Sequence, residues 1–303
     1  MISRSRDTKT AIPLIGVHDS ISARIVAQQH QQQHPDRDIA LFVSGFGVSA
    51  SRLGQPDAGI LTRSDMEDAT RNILASVPRR TIPVVMDGDT GYGGPSNVRQ
   101  TIRRAAALGA AAITIEDQVF PKRCTYVAGS GVNVVERKEA AKRVITALSA
   151  RKEAWERDGN HIMVIARTDC RMATSWDETL ERCLVFQEVD ADVVYAENLQ
   201  SINEYAMLRR EISKPMMLAQ VQTGSNEDEL ISLNDVGEMG YELALWGITG
   251  LQAAVAAMEM AVSELLIDDE TKVLSTELAS LGAIKQLVEF EDLDEFESMY
   301  PCT

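Results

Sequence analysis

Two groups of acidic residues, each placed directly after a short apolar run, are the part of the sequence best suited to chemistry. Asp87 and Asp89 follow the first run, and Glu116 and Asp117 follow the next one along the chain. If the two runs are neighbouring strands, these carboxylates meet at one rim of a sheet, where they repel each other unless a cation lies between them. The sequence therefore predicts a site for a hard divalent cation bound by oxygen ligands and water, Mg2+ above all, which Mn2+ can replace.

A second interpretation of the same residues needs no ligand. Acidic residues commonly follow strands as turn formers or helix caps, and this explains one such group easily. It explains two groups in succession less well. The first group is followed by Gly91, Gly93 and Gly94, and glycines let the backbone approach a ligand closely. We therefore favour the metal site.

The composition limits the kinds of protein that this chain can be. Its 303 residues are enough for one large or two medium domains, and 45% hydrophobic residues are enough for a core. A net charge of -15 argues against binding to nucleic acid or to anionic membrane surfaces. It leaves room for a small anionic substrate, because a metal ion and a few arginines can reverse the potential locally. No segment is apolar for long enough to span a membrane.

The N-terminal residues and the cysteines indicate where the protein resides. The N-terminus is polar and lacks the apolar region of a signal peptide. Four cysteines are scattered along the chain without a paired or metal-binding spacing. Both observations predict a reduced, cytoplasmic (intracellular) protein.

Apolar runs alternate with helical patterns eight times, which indicates parallel strands joined by crossover helices. We predict a single (β/α)8 TIM-barrel domain over residues 1–303, with a helical tail from about residue 267. An open doubly wound sheet is the alternative, but the GxGxxG of a dinucleotide-binding fold is missing. Functional residues of barrels lie at the C-terminal ends of strands. Polar residues collect at the predicted strand ends: His18, Ser44, Asp87, Glu116, Arg167, Glu197 and Gln220.

Three predicted helix starts carry the pattern of a capping box. In this pattern a serine side chain and the glutamate three residues later satisfy free backbone N–H groups. The three patterns begin at Ser64, Ser175 and Ser201. Two long loops, 47–62 and 120–135, separate the predicted elements near the acidic groups.

Several segments, in this order, resemble the isocitrate lyase/phosphoenolpyruvate mutase superfamily, and in particular its small members. The resemblance covers nearly the whole chain. The aspartate–glycine motif together with the lysine–arginine–cysteine loop is specific to that superfamily. The main segments are 87–93 (DGDTGYG), 116–118 (EDQ), 121–124 (PKRC) and 166–169 (ARTD), and 22–24 (SAR), 44–46 (SGF) and 55–57 (QPD) fit as well.

The resemblance implies a (β/α)8 barrel and a homotetramer, a dimer of dimers in which the eighth helix is exchanged between neighbouring subunits. It also implies Mg2+ bound by Asp87, with Asp89 and Glu116 contacting the ion directly or through water. The helix predicted from about Leu251 to Leu266 is apolar on more than one face, as is usual for a helix buried on several sides.

The same resemblance implies roles around a small anionic carboxylate substrate. The backbone around Ser44, Gly45 and Phe46 holds a substrate carboxylate, and Arg167 pairs with substrate oxygens. Asp57 lies on a gating loop over the site. The predicted catalytic residues are Cys124, Arg167, Asp57 and Glu197, and Gln220 and Thr249 complete the predicted substrate-binding residues.

Lyase members carry a Lys-Lys/Arg-Cys-Gly-His segment whose cysteine is the catalytic acid/base, and Cys124 stands at that position. We expect a thiol near Lys122 and Arg123 to ionise below its usual pKa of about 8.5. Cleavage of a C–C bond beta to a carboxylate or carbonyl makes an enolate, which Mg2+ and an arginine can stabilise. A base must take a hydroxyl proton, and an acid must return a proton to carbon.

Three positions depart from the lyase pattern. Thr125-Tyr126 replace Gly-His, Gln220 stands where Asn is usual, and Trp246-Gly247 stand where a Pro is usual. All three are expected around the substrate pocket, so the substrate need not be isocitrate.

Three functions therefore stay open. The first is a Mg2+-dependent C–C lyase acting on a small 2- or 3-hydroxy dicarboxylate, or on oxaloacetate cleaved by water. The second is a phosphonate enzyme, a mutase or hydrolase, in which Thr125 or Ser130 handles the phosphoryl group. The third is a non-catalytic barrel that binds a metabolite.

Overall fold

Eight parallel strands close into a barrel in which each strand pairs with the next along the chain and the eighth pairs with the first. This computed structural model describes residues 1–78, 81–126, 131–223, 230–267 and 274–300. The predicted (β/α)8 barrel is confirmed, and the open doubly wound alternative is wrong. The strands are β1 (Ile12–Val17), β2 (Ala40–Val43), β3 (Val84–Asp87), β4 (Ala112–Glu116), β5 (Met163–Thr168), β6 (Val193–Ala196), β7 (Met216–Ala219) and β8 (Leu243–Trp246).

A helix follows every strand, and further helices lie at the chain ends and within two connections. The helices are α1 (Ile2–Thr8), α2 (Ser20–Gln33), α3 (Gly45–Val48), α4 (Arg63–Ser76), α5 (Pro95–Leu108), α6 (Arg137–Asp158), α7 (Cys170–Ala173), α8 (Trp176–Glu188), α9 (Ile202–Glu211), α10 (Leu233–Glu238), α11 (Thr249–Ile267), α12 (Leu281–Leu287) and α13 (Phe290–Met299). No helix within the described ranges is long and apolar enough to cross a membrane.

The strands are buried on both faces, which explains their near-continuous apolar sequences. One set of side chains, including Leu14, Phe42 and Leu245, fills the barrel interior. The other set packs against the surrounding helices; Met86 and Ile113 are two of its fully buried members. Because these side chains fill the barrel interior, a site is expected at the rim formed by the C-terminal strand ends.

Helix α1 covers the opposite end of the barrel and was not predicted. Ile2 packs against the interior core, and the Ser5 hydroxyl donates to the carbonyl of Glu242 at 3.2 Å. The Arg6 guanidinium pairs with the Glu242 carboxylate. The polar N-terminal sequence gives no sign of these contacts, since each partner lies at the far end of the chain.

Two local predictions need correction near the first long loop. Part of the segment 47–62 is helical, in α3 and in a π-helical turn over Ser49–Leu53. The capping box predicted at Ser64 is wrong, because α4 begins at Arg63 and its cap lies two residues before Ser64. Thr62 is the cap: its hydroxyl accepts from the Asp65 N–H at 3.3 Å, and the Asp65 carboxylate accepts from the Thr62 N–H at 3.2 Å.

The other two predicted capping boxes are half formed. Ser175 and Ser201 do cap α8 and α9 through their hydroxyls. The partner glutamates do not reach back to the serine N–H groups, because arginines hold them; Arg137 and Arg171 come from other helices, and Arg182 lies one turn further along α8. Glu178 pairs with Arg137 and Arg182, and Glu204 pairs with Arg171.

Candidate active site

Three hydrogen bonds hold the Asp87 carboxylate in place at the rim of the barrel. The carboxylate accepts hydrogen bonds from the Gly45 N–H at 3.2 Å, the Asp89 N–H at 3.1 Å and the Thr114 hydroxyl at 3.0 Å. Burial alone would raise the pKa of Asp87, but the positive charges of Lys122 and Arg167, together with these hydrogen bonds, hold it below its usual value. Asp87 is therefore a permanent anion with a set orientation.

The negative charges of Asp89 and Glu116 are less well compensated than that of Asp87. Burial raises the pKa of Asp89 to about 7, although the Lys122 ammonium contacts its carboxylate. Burial also raises the pKa of Glu116 well above its usual value. One Glu116 oxygen, Oε2, lies 3.5 Å from Arg167 Nε, and the other, Oε1, is buried without a hydrogen-bond partner.

These acids fit a hard divalent cation. All three offer only oxygen donors, and the orphaned Glu116 Oε1 is a buried acceptor that a cation would satisfy. Across the described ranges, no three acidic, histidine or cysteine side chains already form a ready-made ligand group. Metal binding would thus require side-chain adjustment, with the Lys122 ammonium withdrawing from Asp89.

Lys122 joins three loops of the site. It follows β4, and its ammonium contacts Asp89 after β3 and Asp57, 2.8 Å away, in the segment after β2. Lys122 is almost fully buried. The structure therefore brings the predicted gating residue Asp57 directly to the acidic rim.

Arg167 is held on three sides by acids. Its guanidinium lies 2.7 Å from Asp169 and 3.1 Å from Glu197, besides the contact to Glu116, and it sits over the Tyr195 ring at 5.5 Å. Burial alone would lower the pKa of Arg167, but these acids raise it well above its usual value. Arg167 is thus a fixed cation that faces the pocket.

Glu197 was predicted to be catalytic, but both of its oxygens are occupied. Oε1 accepts from the Tyr126 hydroxyl and the Asn198 N–H, and Oε2 accepts from the Tyr195 hydroxyl and Arg167. A general base needs an oxygen that is ready to take a proton. This geometry instead makes Glu197 a residue that positions Arg167 and Tyr126.

Contacts on both sides fix the segment that carries Cys124. The Gln118 side chain accepts from the Arg123 N–H at 2.8 Å and donates to the Arg123 carbonyl at 2.9 Å. On the other side, the Asn198 amide donates to the Thr125 carbonyl at 3.0 Å. The half-buried Cys124 is therefore presented to the pocket by a tethered loop.

The expectation that Cys124 ionises easily is wrong for this arrangement. Lys122 is committed to Asp57 and Asp89, and the Arg123 guanidinium donates to the Lys122 carbonyl at 2.8 Å. Neither cation is therefore available to stabilise the thiolate of Cys124. Burial, the largest effect, raises the pKa of Cys124 above its usual value.

One cavity of about 280 Å3 is lined by Arg167, Cys124 and four acids, Asp57, Asp87, Glu116 and Glu197. Ser44 and Phe46 also line it; Ser44 caps α3 through its hydroxyl, and the Gly45 N–H is taken by Asp87. Other lining residues were not singled out from the sequence. Among them are Phe42, Tyr195, Val221, Leu245 and Ile248.

Three predicted substrate-binding residues, Gly45, Gln220 and Thr249, do not line this cavity. The Gln220 amide donates to the Ile231 carbonyl at 2.9 Å and accepts from the Ile231 N–H at 2.6 Å, which turns it away from the pocket. Thr249 is exposed at the first position of α11 and does not line the cavity. Tyr195 could have been found from the sequence, because residues i and i+2 of a strand face the same way and Glu197 follows it by two.

Known proteins are similar to this chain in sequence and fold. The family model described as phosphoenolpyruvate phosphomutase matches residues 4–266. The 2,3-dimethylmalate lyase of Eubacterium barkeri is 28% identical over 293 residues, covering 97% of this chain and 94% of the relative. The 2-methylisocitrate lyase of Aeropyrum pernix is 29% identical over 256 residues, covering 84% and 78%. A structure of oxaloacetate acetylhydrolase with the inhibitor 3,3-difluorooxalacetate matches with a TM-score of 0.85 at 27% identity, covering 98% and 94%.

Fold and site together define a (β/α)8-barrel enzyme with an acidic rim. The chain belongs to the phosphoenolpyruvate mutase family of the isocitrate lyase/phosphoenolpyruvate mutase superfamily. This confirms the resemblance drawn from the motifs. The relatives are named lyases and mutases, and the lyases among them act on small carboxylic acids.

Alkylation by iodoacetamide tests the environment of Cys124. Only the thiolate reacts, so the rate rises with pH, and a raised pKa places its midpoint above about 8.5. The rate should be followed by mass spectrometry of the peptide that contains Cys124. The Cys124→Ser variant is the control; Cys170 and Cys183 are fully buried and should stay unmodified. A midpoint near neutral pH would restore the original expectation.

Proposed function

We propose that this chain is a Mg2+-dependent carbon–carbon lyase that cleaves a small 2- or 3-hydroxy dicarboxylate, or oxaloacetate, through an enolate. One observation carries the proposal: three buried carboxylates, a fixed arginine and a thiol line a single small cavity. The relatives support it, because dimethylmalate, methylisocitrate and oxaloacetate are all compact carboxylic acids.

Cleavage of a 2-hydroxy acid needs two proton transfers. The hydroxyl proton passes to the acidic rim, and the O–H electron pair becomes part of a new carbonyl. The bond between carbons 2 and 3 breaks, and its electron pair moves to carbon 3 as the enolate of the adjacent carboxylate. An acid then returns a proton to carbon 3.

The side chains can be assigned to these steps. Cys124 suits the acid, because burial raises the pKa of its thiol and keeps it protonated near neutral pH. Arg167 orients the substrate carboxylate and faces the developing negative charge. Bound Mg2+, held by Asp87, Asp89 and Glu116, would supply further electrostatic stabilisation of the enolate.

A substrate screen tests the function. Purified protein should be incubated with oxaloacetate, methylisocitrate, 2,3-dimethylmalate and phosphonopyruvate, in Mg2+ and in excess EDTA, with products identified by NMR. We expect cleavage of at least one of the first three compounds, and only when metal is present. Undiminished turnover in EDTA contradicts the metal site. Turnover of phosphonopyruvate alone favours the phosphonate alternative, and no turnover favours the non-catalytic one.

The Cys124→Ser variant tests the acid. Serine keeps the size of the side chain but donates a proton far less readily, so kcat should fall on the order of 10²–10⁴-fold, the usual range for a lost general acid. Substrate affinity should survive, since the metal and Arg167 supply it. The matched control is Cys183→Ser, a buried thiol outside the cavity. A near-normal kcat for Cys124→Ser removes the thiol from the mechanism.

We also propose a homotetramer, a dimer of dimers that exchanges α11. Support comes from the apolar side chains that this helix exposes in a single chain: Met258, Met260, Val262, Leu265 and Leu266 are each at least half exposed. A free monomer would expose these apolar side chains to water. Light scattering at micromolar concentration should give about four chains per particle, and a monomer mass contradicts the proposal.

A further inference from the structure

The cavity is positively charged on one side only. Its basic lining residues are Lys122 and Arg123, which follow β4, and Arg167, which lies near the end of β5. On the opposite side, the ends of β7 and β8 and the segments that follow them contribute Ala219, Val221, Leu245 and Ile248, which we call the apolar wall. A ligand that fills the cavity therefore meets charge at one end and hydrocarbon at the other.

The polar residues nearest this wall do not supply a charge. Gln220 is turned away, because both ends of its amide bond to the backbone of Ile231. The Gln252 amide donates to the Gln222 carbonyl at 2.7 Å. Gly247 has no side chain at all. Gln222, Thr223 and Gln252 also line this side of the cavity, and all three are uncharged.

The sequence supplies no cation to this side either. Between Lys214 and Lys272 there is no lysine, arginine or histidine. This stretch includes β7, β8 and the segments that follow them. It also includes residues 224–229, which lie outside the described ranges and whose sequence, GSNEDE, has three acidic residues and no basic one. No part of this stretch can neutralise a carboxylate at the wall.

We propose that the substrate carries an uncharged alkyl group, rather than a further carboxylate, on the carbon that faces the apolar wall. A carboxylate there would lose its hydration without gaining a cation, which is unfavourable. An alkyl group would gain by leaving water. This inference rests on the proposed function and narrows its hydroxy dicarboxylates to malates that carry an alkyl substituent.

A matched pair of compounds tests the inference. Isocitrate and 3-ethylmalate share the 2-hydroxysuccinate core. They differ only at the end of the substituent on carbon 3, which is a carboxylate in isocitrate and a methyl group in 3-ethylmalate. Cleavage between carbons 2 and 3 releases glyoxylate from both, with succinate from the first and butanoate from the second. With the same configuration at both carbons, kcat/KM from glyoxylate release should be at least about tenfold higher for 3-ethylmalate.

A charge placed on the wall should reverse this preference. Val221 is only half-buried, so the Val221→Arg variant can carry its guanidinium without burying it. It should raise kcat/KM for isocitrate at least about tenfold and lower the value for 3-ethylmalate. Met207→Arg adds the same charge at an exposed position of α9 and should leave the ratio unchanged. A preference for isocitrate in the unmodified protein overturns the inference.

Binding separates this inference from the proposed function. Both compounds should be titrated calorimetrically into Cys124→Ser protein with Mg2+, where catalysis is impaired. Tighter binding of 3-ethylmalate by the variant, together with no turnover of either compound by the unmodified protein, supports the apolar wall and counts against the lyase. Turnover of both compounds with a preference for isocitrate supports the lyase activity and contradicts the inference about the apolar wall. Failure of both compounds to bind overturns both.

Discussion

The site depends on one buried ammonium group. Lys122 reaches from the loop after β4 to Asp89 after β3 and to Asp57 after β2, so a single cation ties three loops to the rim. Removing it would leave acids buried without compensation, which typically costs about 3–5 kcal/mol. Barrel closure makes the contact available, because parallel strands deliver all three loops to the same end.

The commitment of Lys122 has a chemical consequence for Cys124. A cysteine next to lysine and arginine in the sequence is expected to be a reactive thiolate. In the fold, the lysine turns to Asp57 and Asp89, and Arg123 turns to its own backbone. Burial then dominates, and the thiol stays protonated. A protonated thiol over an enolate is suited to give a proton rather than to take one.

The sequence predicts the placement of residues better than the direction of side chains. Alternating apolar runs specify the barrel, and the position of Asp87 at a strand end specifies its place at the rim. Local spacing cannot show that Gln220 bonds to Ile231 or that α1 reaches Glu242, because these partners depend on how the barrel closes. The capping glutamates fail for the same reason, since distant arginines compete for them.

Tyr126 links the departure from the lyase pattern to the chemistry. Where that pattern has an imidazole, which can carry a proton near neutral pH, this chain has a phenol whose pKa burial raises well above its usual value. The phenol therefore stays protonated, and it donates a hydrogen bond to Glu197. Glu197 in turn holds Arg167, so this side of the cavity orients charge without exchanging protons. In the proposed function, proton transfer therefore falls to Cys124 and the acidic rim, while the apolar wall contributes shape and hydrophobic contact.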